Sequence, residues 1–144
     1  MDPNTILEYA AESTKWLVIG GALAYGTAML SSPVSMFLSK KIRSKKELER
    51  VIDEESHKLG LNGIVGIYHK GIDEAKSYIR NGTGFIVVGG RLSKRSAVRH
   101  EAYHLYKRHN DPERKFKNNL VDRLDYYFVR EPQASLYESM RVRI

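Results

Sequence analysis

From Trp16 to Ser39 the chain carries no charged side chain, a run of 24 residues. At about 1.5 Å per residue a helix over this run reaches about 36 Å, enough for a hydrocarbon core of roughly 30 Å. The chain has 144 residues, and the one small domain that residues 40–144 can build would struggle to enclose so long an apolar cylinder. The run therefore predicts an N-terminal segment 1–39 holding a single membrane-spanning helix over about 16–39, embedded in a lipid bilayer. Its small residues, Gly21, Ala22, Gly26 and Ala28, suit close helix packing there. Ala22-Leu23-Ala24 resembles a cleavage triplet, but the flank before it is acidic and the apolar run continues past it, so it is not read as a cleaved signal.

Charge divides at the same place. Asp2, Glu8 and Glu12 against Lys15 leave −2 in residues 1–39, so residues 40–144 hold +9 of the net +7. Lys40, Lys41, Arg43, Lys45 and Lys46 crowd the end of the run. The positive-inside rule then expects the N-terminus outside and residues 40–144 in the cytoplasm, with the basic cluster against an anionic leaflet. Topology thus accounts for the positive excess, and no nucleic-acid partner is expected: no such motif occurs, and the aromatics among the basic residues of 103–108 belong to a helix face.

The second part is punctuated as a mixed domain. Ser44-Lys45-Lys46-Glu47 reads as a capping box, Leu48, Val51, Ile52 and Leu59 follow at helical spacing, and Gly60 is a left-handed stop. Strands are predicted over 64–68, over 75–79, and over 84–90, which ends in Gly89-Gly90. Ser93 or Ser96 caps a helix reaching about Arg108, broken by Asn110-Asp111-Pro112. Asp111 caps another, with Phe116, Leu120, Leu124 and Tyr127 on one face, and a last helix runs from Glu131-Pro132 to about Met140.

The chemistry lies in His100-Glu101-Ala102-Tyr103-His104, an HExxH sequence. Residues four apart share a helix face, so two imidazoles can grip one Zn²⁺ at about 2.0–2.1 Å each. Glu101 lies beside them, placed to act as general base on a metal-activated water without ligating the metal. The chain has no cysteine, so a third ligand must be His or a carboxylate. An extended HExxHxxGxxH site would need Gly and His where Lys107 and Asn110 stand, and His109 is one residue out of place. Glu113, Asp122, Asp125, Glu131 and Glu138 remain. Glu131 is favoured because Ala134 would let its helix approach the HExxH helix, and Glu138, on roughly the same face, is the alternative. Pro132 disfavours αR geometry at Glu131, which is therefore expected at an N-cap.

The strand Phe85-Ile86-Val87-Val88-Gly89-Gly90, the short Arg91-Leu92 link and the HExxH helix from Ser96 resemble the gluzincin metallopeptidases, nearest the Ste24/HtpX-like membrane peptidases (the M48-like family) and the reduced minigluzincins. Arg130-Glu131-Pro132-Gln133-Ala134-Ser135 resembles their glutamate segment, with Ser135 where an acid or amide is usual. The resemblance covers about residues 44–140. It implies an α+β domain over 40–144, a short antiparallel sheet packed on the HExxH helix and a glutamate helix. It also implies one zinc held by His100, His104 and Glu131, Glu101 as base, and membrane-anchored endopeptidase activity on a protein or peptide bound in extended form along strand 85–89. Tyr127, Tyr137 and Arg141 are candidates for the oxyanion-stabilising group that the family carries. The tail 139–144 is a candidate block that would make the chain latent. The alternative is a membrane-tethered basic binding module with a structural or vestigial zinc site. His57 and His69 have no partner spacing, and the oligomeric state is left open.

Overall fold

The computed structural model describes residues 3–109 and 119–141, apart from the side chains of 3–13, 16–18, 24, 28 and 119. The Asp111 cap, Glu113 and the tail beyond Arg141 lie outside the described residues, as does the first part of the helix expected after Pro112.

The uncharged run is helical from Trp16 to Leu38, inside a longer helix α1 (Pro3–Leu38), and leaves the helix at Ser39. Among the described residues, however, no helix is long and apolar enough to cross a membrane. Glycines, serines and Pro33 dilute the hydropathy of the run, and the side chains of Trp16, Leu17 and Val18 are outside the described set. The span expected over 16–39 therefore stands as a helix only. That helix lies along α5 (Glu131–Met140), where Ser31 accepts a hydrogen bond from Ser139 and Ser32 donates to Glu138.

Helix α2 (Lys45–Leu59) starts where the capping box sets it. The Ser44 Oγ accepts from the Glu47 amide, and the Glu47 carboxylate accepts from the Arg43 amide. It ends at Gly60, whose φ of 69° is easily reached without a Cβ. Its apolar stripe, Leu48, Val51, Ile52 and Leu59, is buried against the sheet and α3 (Arg95–Tyr106).

Three strands follow: β1 (Val65–His69), β2 (Glu74–Arg80) and β3 (Thr83–Gly89). The sheet is mixed, not antiparallel throughout as expected, because β3 lies in the centre, antiparallel to β2 and parallel to β1. A short turn makes β2 and β3 a hairpin. The β1–β2 connection instead carries the chain past β3's position, so β1 ends up parallel to β3. Gly66 allows this layer to pack tightly: a Cβ there would stand 2.8 Å from Ile52 Cδ1. Ile86 and Val88 of β3 meet α2 and α3 in the core with Val98, Ala102, Tyr103 and Tyr137.

Helix α3 has no side-chain cap of its own from Ser93 or Ser96. Ser39 serves instead, its Oγ accepting from the Ser96 amide, which ties the end of α1 to the start of the HExxH helix. The final helical stretch is α4 (Asn119–Asp125), a π-helical turn Tyr126–Arg130, and α5. Glu131 is not at an extended N-cap as expected: its φ and ψ are −64° and −48°, and its amide donates to the Tyr126 carbonyl five residues back. Pro132 cannot donate an i→i−4 bond and its ring would crowd the Phe128 carbonyl; widening the preceding turn keeps the helix continuous around it. Ala134 is fully buried where α5 crosses α3, as its size predicted.

Candidate metal centre

Helical spacing in α3 puts His100 and His104 on one face, with their Nε2 atoms 3.1 Å apart. The π turn brings Glu131 onto both: Oε2 is 3.3 Å from His100 Nε2 and Oε1 is 3.3 Å from His104 Nε2. These three residues form a group that could hold a metal ion, their donor atoms all within 4.8 Å of one another. Ligands at zinc's usual bond lengths and tetrahedral angle lie about 3.3 Å apart, so the observed separations fit one small divalent ion.

The second nitrogen of each ring explains why the first is available. His100 Nδ1 is 3.2 Å from the Glu138 carboxylate, which is wholly buried and also accepts from Ser32 Oγ at 2.5 Å. An Nδ1–H donated to Glu138 leaves the His100 Nε2 lone pair facing the centre. His104 Nδ1 is likewise occupied, 3.0 Å from His109 Nδ1. Two ring nitrogens then face each other across 3.1 Å with a carboxylate beside them, an arrangement that calls for a cation between them. A proton can fill that role. Burial lowers the His100 pKa, but the hydrogen bonds to Glu131 and Glu138 outweigh it and push the ring up to about 10. Burial would raise Glu131, yet its bonds to His100, His104 and Tyr126 hold it far below the usual carboxylate range.

The remaining candidates separate clearly. Glu138 binds the back of His100 and is not one of the three converging residues. Asp122 and Asp125 are taken by the buried Arg130, which donates to both and to the His109 carbonyl. That clamp holds the π turn against the end of the HExxH segment. Glu101 is buried beside the cluster, and its Oε2 accepts from Ser77 Oγ of β2 at 2.7 Å. Glu101, His100 and Glu131 line a cavity of about 280 Å³ with Tyr126 and Ala75.

Two expectations are corrected. Strand 85–89 cannot pair with a substrate, because β3 is hydrogen-bonded on both sides. The edge next to the centre belongs to β2, which carries Ser77 and Ala75, and among the described residues no strand covers its outer side. The aromatic at the site is neither Tyr127, which is exposed, nor Tyr137, which is buried in the core and donates to Glu55. Arg141 is exposed at the end of α5, away from the cavity lining. Tyr126 takes that position: its ring stacks on His104, and its hydroxyl bonds Glu131. Burial first, and Glu131 second, push the Tyr126 phenol well above its ordinary pKa, so it remains a donor. Tyr126, His109 and Ser77 had no sequence signal, since their partners lie across the fold or depend on the π turn. His57 is exposed, and His69 pairs with Glu74, neither of them lining the cavity.

Compared with protein families, with curated proteins and with solved structures, the chain gives no match.

Proposed function

We propose that the chain is a zinc-dependent endopeptidase of the gluzincin kind, with His100, His104 and Glu131 as metal ligands and Glu101 as general base. The observation that carries this reading is the convergence of two Nε2 atoms and one carboxylate at 3.1–3.3 Å, with both Nδ1 positions already engaged. When bound, zinc supplies Lewis-acid polarisation of water and of a substrate carbonyl. Glu101 holds one oxygen on Ser77 and has the other for a proton, which it takes from the attacking water and passes to the leaving amine nitrogen. The Tyr126 O–H, held by Glu131 in the metal-free chain, would turn from it to donate to the oxyanion that develops on the carbonyl oxygen. The outer edge of β2 offers main-chain hydrogen bonds to an extended peptide, a mode that tolerates varied sequences.

The test uses the full chain purified beside Glu101→Gln. Both forms carry one zinc, and only the wild type cleaves an unfolded protein such as casein, with Glu101→Gln slower by about 10²–10⁴-fold. Zinc in both with cleavage by neither supports the alternative, a binding module with a structural metal. The orientation expected from the basic cluster, with residues 40–144 cytoplasmic, is likewise a proposal. It predicts that residues 40–144 are shielded from protease added outside intact cells.

A further inference from the structure

Helix α1 borders a second, larger hollow. Leu30, Val34 and Leu38 recur on one stripe of α1 and form the wall of a groove of about 850 Å³, closed on another side by Met140 of α5. Lys40, Arg95 and Arg99 also line it. The stripe from Thr27 to Leu38 is about 16 Å long by helical rise, and a groove of this size that is mostly apolar with a few cationic groups has the character of a small-molecule site.

A second observation bears on what enters it. The Nε atoms of Arg95 and Arg99 are buried without a hydrogen-bond acceptor. Arg95 Nη2 donates to both oxygens of Glu54, while Arg99 Nε stands 3.5 Å from Glu55 without making a hydrogen bond, Glu55 being held at 2.8 Å by Lys58. Buried N–H donors left without acceptors carry a desolvation cost that an incoming anion removes. Apolar walls alone would suit many occupants; the cationic groups beside them select one.

We propose that this groove binds an amphiphile with a single acyl chain and an anionic head, the chain lying along Leu30 and Val34 and the head against Lys40, Arg95 and Arg99. The assignment does not depend on the metal centre, whose cavity is lined by other residues.

Fluorescent cis-parinarate, kept below its micelle concentration, tests this on the full chain. One equivalent binds, and oleate or lysophosphatidylglycerol displaces it about tenfold more effectively than lysophosphatidylcholine, whose head carries no net charge. Val34→Trp fills the groove from an exposed position and abolishes binding, while Arg95→Gln weakens it about tenfold and erases the preference for anions. Zinc content and circular dichroism of both variants stay those of the wild type. Failure of parinarate to bind overturns the proposal, as does unchanged binding by Val34→Trp. Equal displacement by lysophosphatidylcholine overturns the anionic head.

Discussion

Glu131 and Glu138 are both carboxylates within reach of the same imidazole, and the ring has two nitrogens to tell them apart. Glu131 meets Nε2, where a metal would be, and Glu138 meets Nδ1, where it fixes the ring's tautomer. Replacing Glu138 by leucine should leave the three ligands in place and weaken zinc binding about 10–100-fold, measured by competition with a chromogenic chelator. Tyr126→Phe should keep the metal and lower kcat by about 10²–10³ with little change in KM. The pH behaviour of the metal-free chain follows from the same contacts. His100 is raised, so its contribution to stability is complete below about 6.5 and is lost as pH climbs through about 10. Glu131 is lowered, so its contribution is present above the ordinary carboxylate value and is lost only as acid overtakes its depressed pKa. Thermal melts of the metal-free chain should therefore fall steadily from pH 7 to pH 10. Zinc uptake near pH 8 should release a proton from His100, seen as a dependence of the calorimetric heat on buffer ionisation enthalpy.

At the level of elements, local chemistry was readable where it is local. The Ser44 cap, the Gly60 stop, the buried stripe of α2 and the helical placement of HExxH depend on neighbours three or four residues away, and all are present. Ser44→Ala should cost about 1 kcal/mol in chemical denaturation without altering metal content. What the sequence hid depends on partners distant along the chain. The parallel β1–β3 pairing places β3 in the centre, and no periodicity within 84–90 distinguishes a central strand from the edge strand expected to take substrate. Pro132 announced a helix break at Glu131. A π turn absorbs it, so the carboxylate comes from inside a continuous helix. Tyr126 reaches the site through that same turn, so the sequence pointed to its neighbour Tyr127, which is exposed, and not to Tyr126.

Across the whole molecule, the uncharged run sets a frame that the domain uses twice. Its helix delivers Ser32 to Glu138 behind the metal centre, and its end delivers Ser39 to the first turn of the HExxH helix. A chain lacking residues 1–38 would lose the Ser32 contact and one wall of the amphiphile groove, so both metal affinity and parinarate binding should be reduced together. The positive excess beyond Ser39 is likewise not spread evenly. Arg130 is committed to Asp122 and Asp125 beside the π turn, whereas Lys40, Arg95 and Arg99 border the groove. Metal analysis with X-ray absorption on the purified full chain decides whether His100, His104 and Glu131 hold one catalytic zinc, as proposed. One zinc per chain is expected in a shell of nitrogen and oxygen at about 2.0–2.1 Å, lost in Glu131→Ala and retained in Glu101→Gln. Absence of stoichiometric metal from the wild type after zinc loading, or full retention in Glu131→Ala, would contradict it.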